Sequence, residues 1–159
     1  MPVDASFTFD RRSFLISPLA AVVATTDIAN AAAGRTVYTG DVIMGKKVVS
    51  ALDISDLEPG QKHYLYFQGE QSPTGQHWHV SVIVAKGRNP GRRITLTSGV
   101  HGDEMSSIRT VQMVMDQLDP ANMAGSVMAV LDISRPALEG MQRRWPNQGR
   151  GIDLVDMNR

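Results

Sequence analysis

The strongest constraint on this chain is the order of hydrophobic patterns between residues 92 and 133. Residues 92–98 are β-branched and apolar, as a buried strand would be. Met105, Ile108, Val111, Met115 and Leu118 then recur at intervals of three and four, which predicts a helix from near Asp103 to Asp119-Pro120. Residues 126–133 form a near-continuous apolar run, suited to a strand covered on both faces. Strand, helix, strand in this order predicts a crossover whose strand ends share one edge of an α/β sheet. Ligands in open α/β sheets collect at the carboxyl ends of strands.

Gly99-Val100-His101-Gly102-Asp103-Glu104 falls at that edge. Its two glycines let the backbone bend sharply and let His101 and Glu104 converge. Zinc accepts His nitrogen and Glu oxygen, and its catalytic sites use three protein ligands plus a water. Two of the three are visible here. The chain has no cysteine, which excludes disulfides, thiolate zinc sites and cysteine nucleophiles, so any metal must be held by His, Asp or Glu.

A chain of 159 residues suits one core. Its 16 basic and 16 acidic residues cancel, so it lacks the positive field of a nucleic-acid binder. Residues 36–98 read as short strands at 36–38, 47–52, 63–68 and 78–86, punctuated by Gly40-Asp41, Glu58-Pro59-Gly60, Ser72-Pro73-Thr74-Gly75 and the run 87–91. His77 and His79 flank Trp78 and share one strand face. They offer a second metal pair, although polar alternation on a half-exposed strand explains them more simply. His63 has no partner visible in the sequence, and Met105, Met113 and Met115 read as core filling.

The first 34 residues follow the plan of an export signal. Arg11-Arg12 precedes Phe14-Leu15-Ile16, the apolar residues 18–24 follow, and a small-residue cluster closes at Ala31-Ala32-Ala33. The paired arginines resemble a twin-arginine signal, with Asp10 where Ser or Thr is usual. The apolar run is about half of the ~20 residues a membrane span needs. The expected organisation is therefore an export signal over 1–34, a β-rich leading segment over 35–91 and an α/β part over 92–159. The twin-arginine export machinery is the expected partner, the periplasm or the cell exterior the expected location, and no stable membrane span is expected.

Four stretches carry a family resemblance: residues 96–104, residues 117–127, Arg135-Pro136-Ala137-Leu138-Glu139, and Asp156-Met157-Asn158-Arg159. Together they resemble the succinylglutamate desuccinylase/aspartoacylase family of the zinc carboxypeptidase superfamily. The resemblance implies an α/β fold with a partial zinc-carboxypeptidase-like mixed sheet and flanking helices. It implies zinc as cofactor, with His101 and Glu104 as metal ligands, and Asn158 and Arg159 as groups that bind a substrate carboxylate. A further arginine polarises the scissile carbonyl in such enzymes. Arg144 is the candidate here, with Arg143 and Arg150 as alternatives.

The implied reaction is hydrolysis of the amide bond of an N-acyl amino acid or a similar small carboxylate-bearing amide. Zinc lowers the pKa of water toward neutrality, a glutamate moves the proton to the leaving amine, and an arginine stabilises the oxyanion. Such enzymes take a third zinc ligand, a histidine, and the catalytic glutamate from positions well after the Asn-Arg pair. The expectation is thus a fragment of a longer protein, or a truncated chain that is inactive alone. A zinc carboxypeptidase acting on short or cell-wall peptides and a non-catalytic remnant or binding module are the two alternatives.

Overall fold

Residue-level detail comes from a computed structural model, which describes residues 36–146 and 156–158. The export signal expected over 1–34, Arg150 and Arg159 lie outside the described residues. Six strands make one mixed sheet: β1 (Val37–Ile43), β2 (Lys46–Ala51), β3 (Gln61–Gln71), β4 (His77–Lys86), β5 (Asn89–Thr97) and β6 (Ala124–Val130). Their spatial order is β1-β2-β3-β4-β6-β5. Helix α1 (Met105–Gln117) links β5 to β6, and a short helix α2 (Arg135–Glu139) follows β6. β5 and β6 run parallel and adjacent, so the strand-helix-strand pattern in the sequence is a crossover, as read.

Alternation along β4 divides the core between the two faces of the sheet. Val82 and Val84 join Val49, Leu57 and Leu65 on one face. Ile83 and Ala85 join Ala129, Leu131 and Met115 on the other, where Ile108, Val111 and Leu118 from the α1 stripe pack. A strand buried on both sides favours apolar residues at successive positions, which explains the buried run Val82 to Ala85. β6, between β4 and β5, is similarly enclosed.

Several expectations change. Residues 92–97 are not a buried strand: β5 is the last strand in the sheet order and is exposed along nearly its whole length. Its apolar composition reflects β-propensity, which sequence reading does not separate from burial. β5 also begins at Asn89, so Asn89-Pro90-Gly91 is irregular strand, with a register shift before Arg93. Pro at such an irregularity forfeits little, since the ladder is broken there already.

Gly40-Asp41 is likewise no turn. It sits in β1 at a bulge where Gly40 takes φ +95, and the reversal comes at Met44-Gly45 instead. The helix starts at Met105, two residues after the expected Asp103. Of the three methionines expected in the core, Met115 is 1% exposed, whereas Met105 and Met113 stand 45% and 49% exposed. They lie outside the stripe that faces the sheet. Among the described residues no helix is long and apolar enough to cross a membrane.

Candidate metal-binding and catalytic site

The loop 98–104 leaves the carboxyl end of β5 and lies against the segment after β6. Ser98 starts the contact, its backbone N–H donating to Val130 O at 2.9 Å and its hydroxyl to Leu131 O at 2.7 Å. Ile133 N–H returns to Ser98 O and Ser134 N–H to Gly99 O. The backbones are so close that a Cβ on Gly102 would stand 2.0 Å from Ala137 O. Gly99 takes φ +65, a conformation that side-chain-bearing residues resist. Both glycines are thus required by the approach that sets His101.

His101 is buried, 5% exposed, and its ring lies between two carboxylates. Nδ1 is 3.2 Å from Glu104 Oε2 and Nε2 is 3.0 Å from Asp156 Oδ1. Glu104 holds the N-cap position of α1 without capping it. Its side chain turns to His101 and to Arg143, whose Nη1 is 2.5 Å from Oε1. The helix start is left without a side-chain cap while the Glu104 carboxylate engages His101 and Arg143. Asp156 has its side chain 8% exposed and also accepts the Asn158 backbone N–H at 3.0 Å.

The electrostatics follow from these contacts. The Glu104 and Asp156 carboxylates, in that order, raise the His101 pKa above its ordinary 6.5. The Arg143 guanidinium, and then His101, lower the Glu104 carboxyl below its ordinary 4.5. With an Nε2 proton donated to Asp156, a neutral His101 would point its Nδ1 lone pair at the Glu104 carboxylate. Two acceptors facing each other at 3.2 Å repel unless a proton or a metal ion lies between them.

A metal fits the same position. Neighbouring donor atoms on a tetrahedral zinc with bonds of about 2.0–2.1 Å stand about 3.3 Å apart. The observed 3.2 Å between Nδ1 and Oε2 matches that spacing. Asp156 on the far nitrogen is the arrangement by which a carboxylate fixes the tautomer and orientation of a ligating histidine. Among the described residues no group of three His, Asp or Glu forms a metal cage, and His101 and Glu104 are the two candidate donors.

The remaining sequence candidates fall as follows. Arg144 Nε is 3.9 Å from Asp156 Oδ2, whereas Arg143 contacts Glu104 directly and stands 4.0 Å from Asp103. Both arginines therefore reach the cluster, each about half exposed. Asn158 is exposed beside Asp156, bound to it through the backbone. His77 and His79 stand apart from the cluster. His77 donates through Nδ1 to Gly69 O at 2.9 Å, and His79 meets the Tyr66 ring edge-on. His63 finds the Glu58 carbonyl oxygen at 2.7 Å.

Asp156 is the member of the His101 cluster that sequence reasoning did not single out. The available signal was its place at the head of the Asp-Met-Asn-Arg block. A contact to a ring 55 residues away is not encoded in local pattern.

Together these features define a class: an α/β protein with a histidine-carboxylate centre at the carboxyl end of a crossover strand. Residues 90–159 match the succinylglutamate desuccinylase/aspartoacylase catalytic domain, so this stretch is similar to that family. Among solved structures, a succinylglutamate desuccinylase/aspartoacylase from Rhodobacter sphaeroides is similar at 23% identity and a TM-score of 0.51, over 60% of this chain and 30% of that one. An aspartoacylase family protein from Mesorhizobium loti is similar at 18% identity and a TM-score of 0.50, over 72% of this chain and 32% of that one. Both likenesses are of fold, and the chain spans about a third of the length of each. No curated protein matches the chain.

Proposed function

We propose that this chain carries the first part of a zinc-dependent deacylase that hydrolyses the amide bond of N-acyl amino acids or similar small carboxylate-bearing amides. The observation that carries the reading is His101 held by Asp156 with its other nitrogen 3.2 Å from Glu104, at the carboxyl end of β5. His101 Nδ1 and Glu104 Oε2 would hold the zinc. When bound, zinc supplies a Lewis acid and a water of lowered pKa.

The protein groups divide the other tasks. Asp156 keeps the His101 proton on Nε2, leaving Nδ1 as donor. Arg143 or Arg144 places a cationic fork where charge develops on the carbonyl oxygen. Asn158 and Arg159 would bind the substrate carboxylate, through a neutral hydrogen bond and a bidentate pair. The third zinc ligand and the proton-shuttling glutamate are expected from sequence beyond Arg159 in a longer parent protein. Export through the twin-arginine machinery to the periplasm or exterior, read from 1–34, remains part of the proposal.

A panel of N-acyl amino acids set against C-terminal dipeptides tests the substrate class in the full-length parent. The reading expects release of the free amino acid from the acyl series. Turnover of the dipeptides alone would favour a zinc carboxypeptidase and overturn it. On the 159-residue chain, direct metal analysis is expected to give weak zinc retention from two donors. Tight stoichiometric zinc would contradict the ligand set.

A further inference from the structure

A cavity lies at the opposite end of the strands from His101. The amino ends of β5 and β6, with the carboxyl end of β4, border this space of about 320 Å³. At ~3.3 Å per residue, β6 puts it about 20 Å from the carboxyl ends where His101 sits. Its lining includes Lys86, Arg88, Arg93, Ser55, Asn89 and Ser126, and no acidic side chain.

We infer that this cavity binds a multiply charged phosphate-type anion through Arg88, Arg93 and Ser126. Arg88 and Arg93 are exposed, and among the described residues neither makes a side-chain hydrogen bond or an ion pair. Ser126 is 6% exposed and lines the cavity, yet its hydroxyl has no hydrogen-bond partner among the described residues. Ser126 Oγ is not among the sealed, unpartnered polar atoms of the described residues, so it is open to the cavity and can donate to what enters it.

The neighbouring groups are already engaged in ways that leave the cations available. Lys86 Nζ donates to the carbonyl oxygens of Ser55 and Leu57, which fixes the wall formed by residues 54–57 and leaves a third N–H. Asp53 is the acid that feels Arg93 and Lys86, but its Oδ1 accepts from Ser55 N at 2.8 Å and Ser55 Oγ at 2.6 Å, and it does not line the cavity.

Two guanidinium forks, an ammonium and a hydroxyl supply more donors than one carboxylate can use, whereas a phosphate presents three acceptor oxygens and up to two charges. The whole chain has no net charge, so the positive potential here is local. A cavity of this size falls in the range of small-molecule sites.

Titration of the 159-residue chain with inorganic pyrophosphate, in parallel with vesicles of phosphatidylcholine alone or containing phosphatidic acid, tests the assignment. Saturable one-to-one pyrophosphate binding is expected, at least tenfold weaker in R88Q/R93Q, severalfold weaker in S126A and unchanged in R109Q on α1. Binding of pyrophosphate without vesicle binding identifies a soluble ligand. Vesicle binding that needs phosphatidic acid and is lost in R88Q/R93Q identifies a lipid headgroup. No saturable binding of either probe, or equal binding by R88Q/R93Q and the parent chain, overturns the inference.

Discussion

His101 and the His77/His79 pair use the same side chain to opposite ends. The pair is denser in the sequence, with two imidazoles on one strand face, yet their recorded contacts are a backbone carbonyl and a tyrosine ring. His101 is isolated in sequence and becomes a candidate ligand because Glu104 and Asp156 take its two nitrogens. Carboxylates around an imidazole, and the backbone that delivers them, therefore mark a candidate ligand better than histidine density does.

The largest expected effect concerns that backbone. Gly102→Ala drives a Cβ to within 2.0 Å of Ala137 O, which neither backbone can easily yield. The loss in stability should be about 3 kcal/mol or more, at the upper end of overpacking costs. Gly75, in the turn before His77, takes φ +86 but faces open space. Gly75→Ala should cost about 1 kcal/mol, from conformation alone. Urea denaturation of both variants compares them directly, and similar midpoints would show that the loop at 102 is not constrained as described.

Next come the carboxylates themselves. Asp156→Asn should weaken zinc binding about 10–100-fold, the usual cost of losing a residue that orients a ligand. His101→Ala should reduce binding to background, while H77A/H79A should leave it unchanged. Competition against a chromophoric chelator reads all three. An equal loss in H77A/H79A would move the site to the other strand.

The pH dependence has opposite signs at the two partners. The raised pKa of His101 means its contribution to metal-free stability is complete below about 6.5 and is lost as pH rises through the folded value. The lowered pKa of Glu104 means its contribution is present above about 4.5 and is lost as pH falls through the folded value. Stability of the metal-free chain should therefore fall on both sides of a plateau between these limits. Asp156→Asn should bring the upper limb to lower pH, and denaturation midpoints across pH 3–9 would reveal an unmoved limb if Asp156 does not support the ring.

The smallest effect should separate the two arginines. Arg143→Gln removes the contact to Glu104 and should raise the Glu104 pKa, whereas Arg144→Gln should leave it nearly unchanged, because Arg143 heads the causes of that shift. Carboxyl carbon chemical shifts followed with pH distinguish them. Equal shifts would mean that Glu104 does not discriminate between the guanidiniums.

Much of the crossover was legible in the sequence because period and burial coincide there. The α1 stripe of Ile108, Val111, Met115 and Leu118 does pack on the sheet, and His101 and Glu104 do sit at the strand end. Legibility failed where a residue's neighbour is distant in the chain. β5 reads as buried because Ile94, Thr95 and Leu96 favour strands, while its exposure depends on its position at the end of the sheet order. The parallel pairing of β2 with β3 leaves no local mark. Asp156 gains its role only when residues 55 positions apart meet, and nothing around Arg143 and Arg144 distinguishes the one that touches Glu104.

Nitrogen-15 NMR of the histidine rings during zinc titration reads the two ring nitrogens of His101 separately. His101 Nδ1 should shift on zinc addition while its Nε2 retains the proton shared with Asp156, and His77 and His79 should stay unchanged. A shift confined to His77 and His79, or metal arriving at His101 Nε2, would contradict zinc binding through Nδ1.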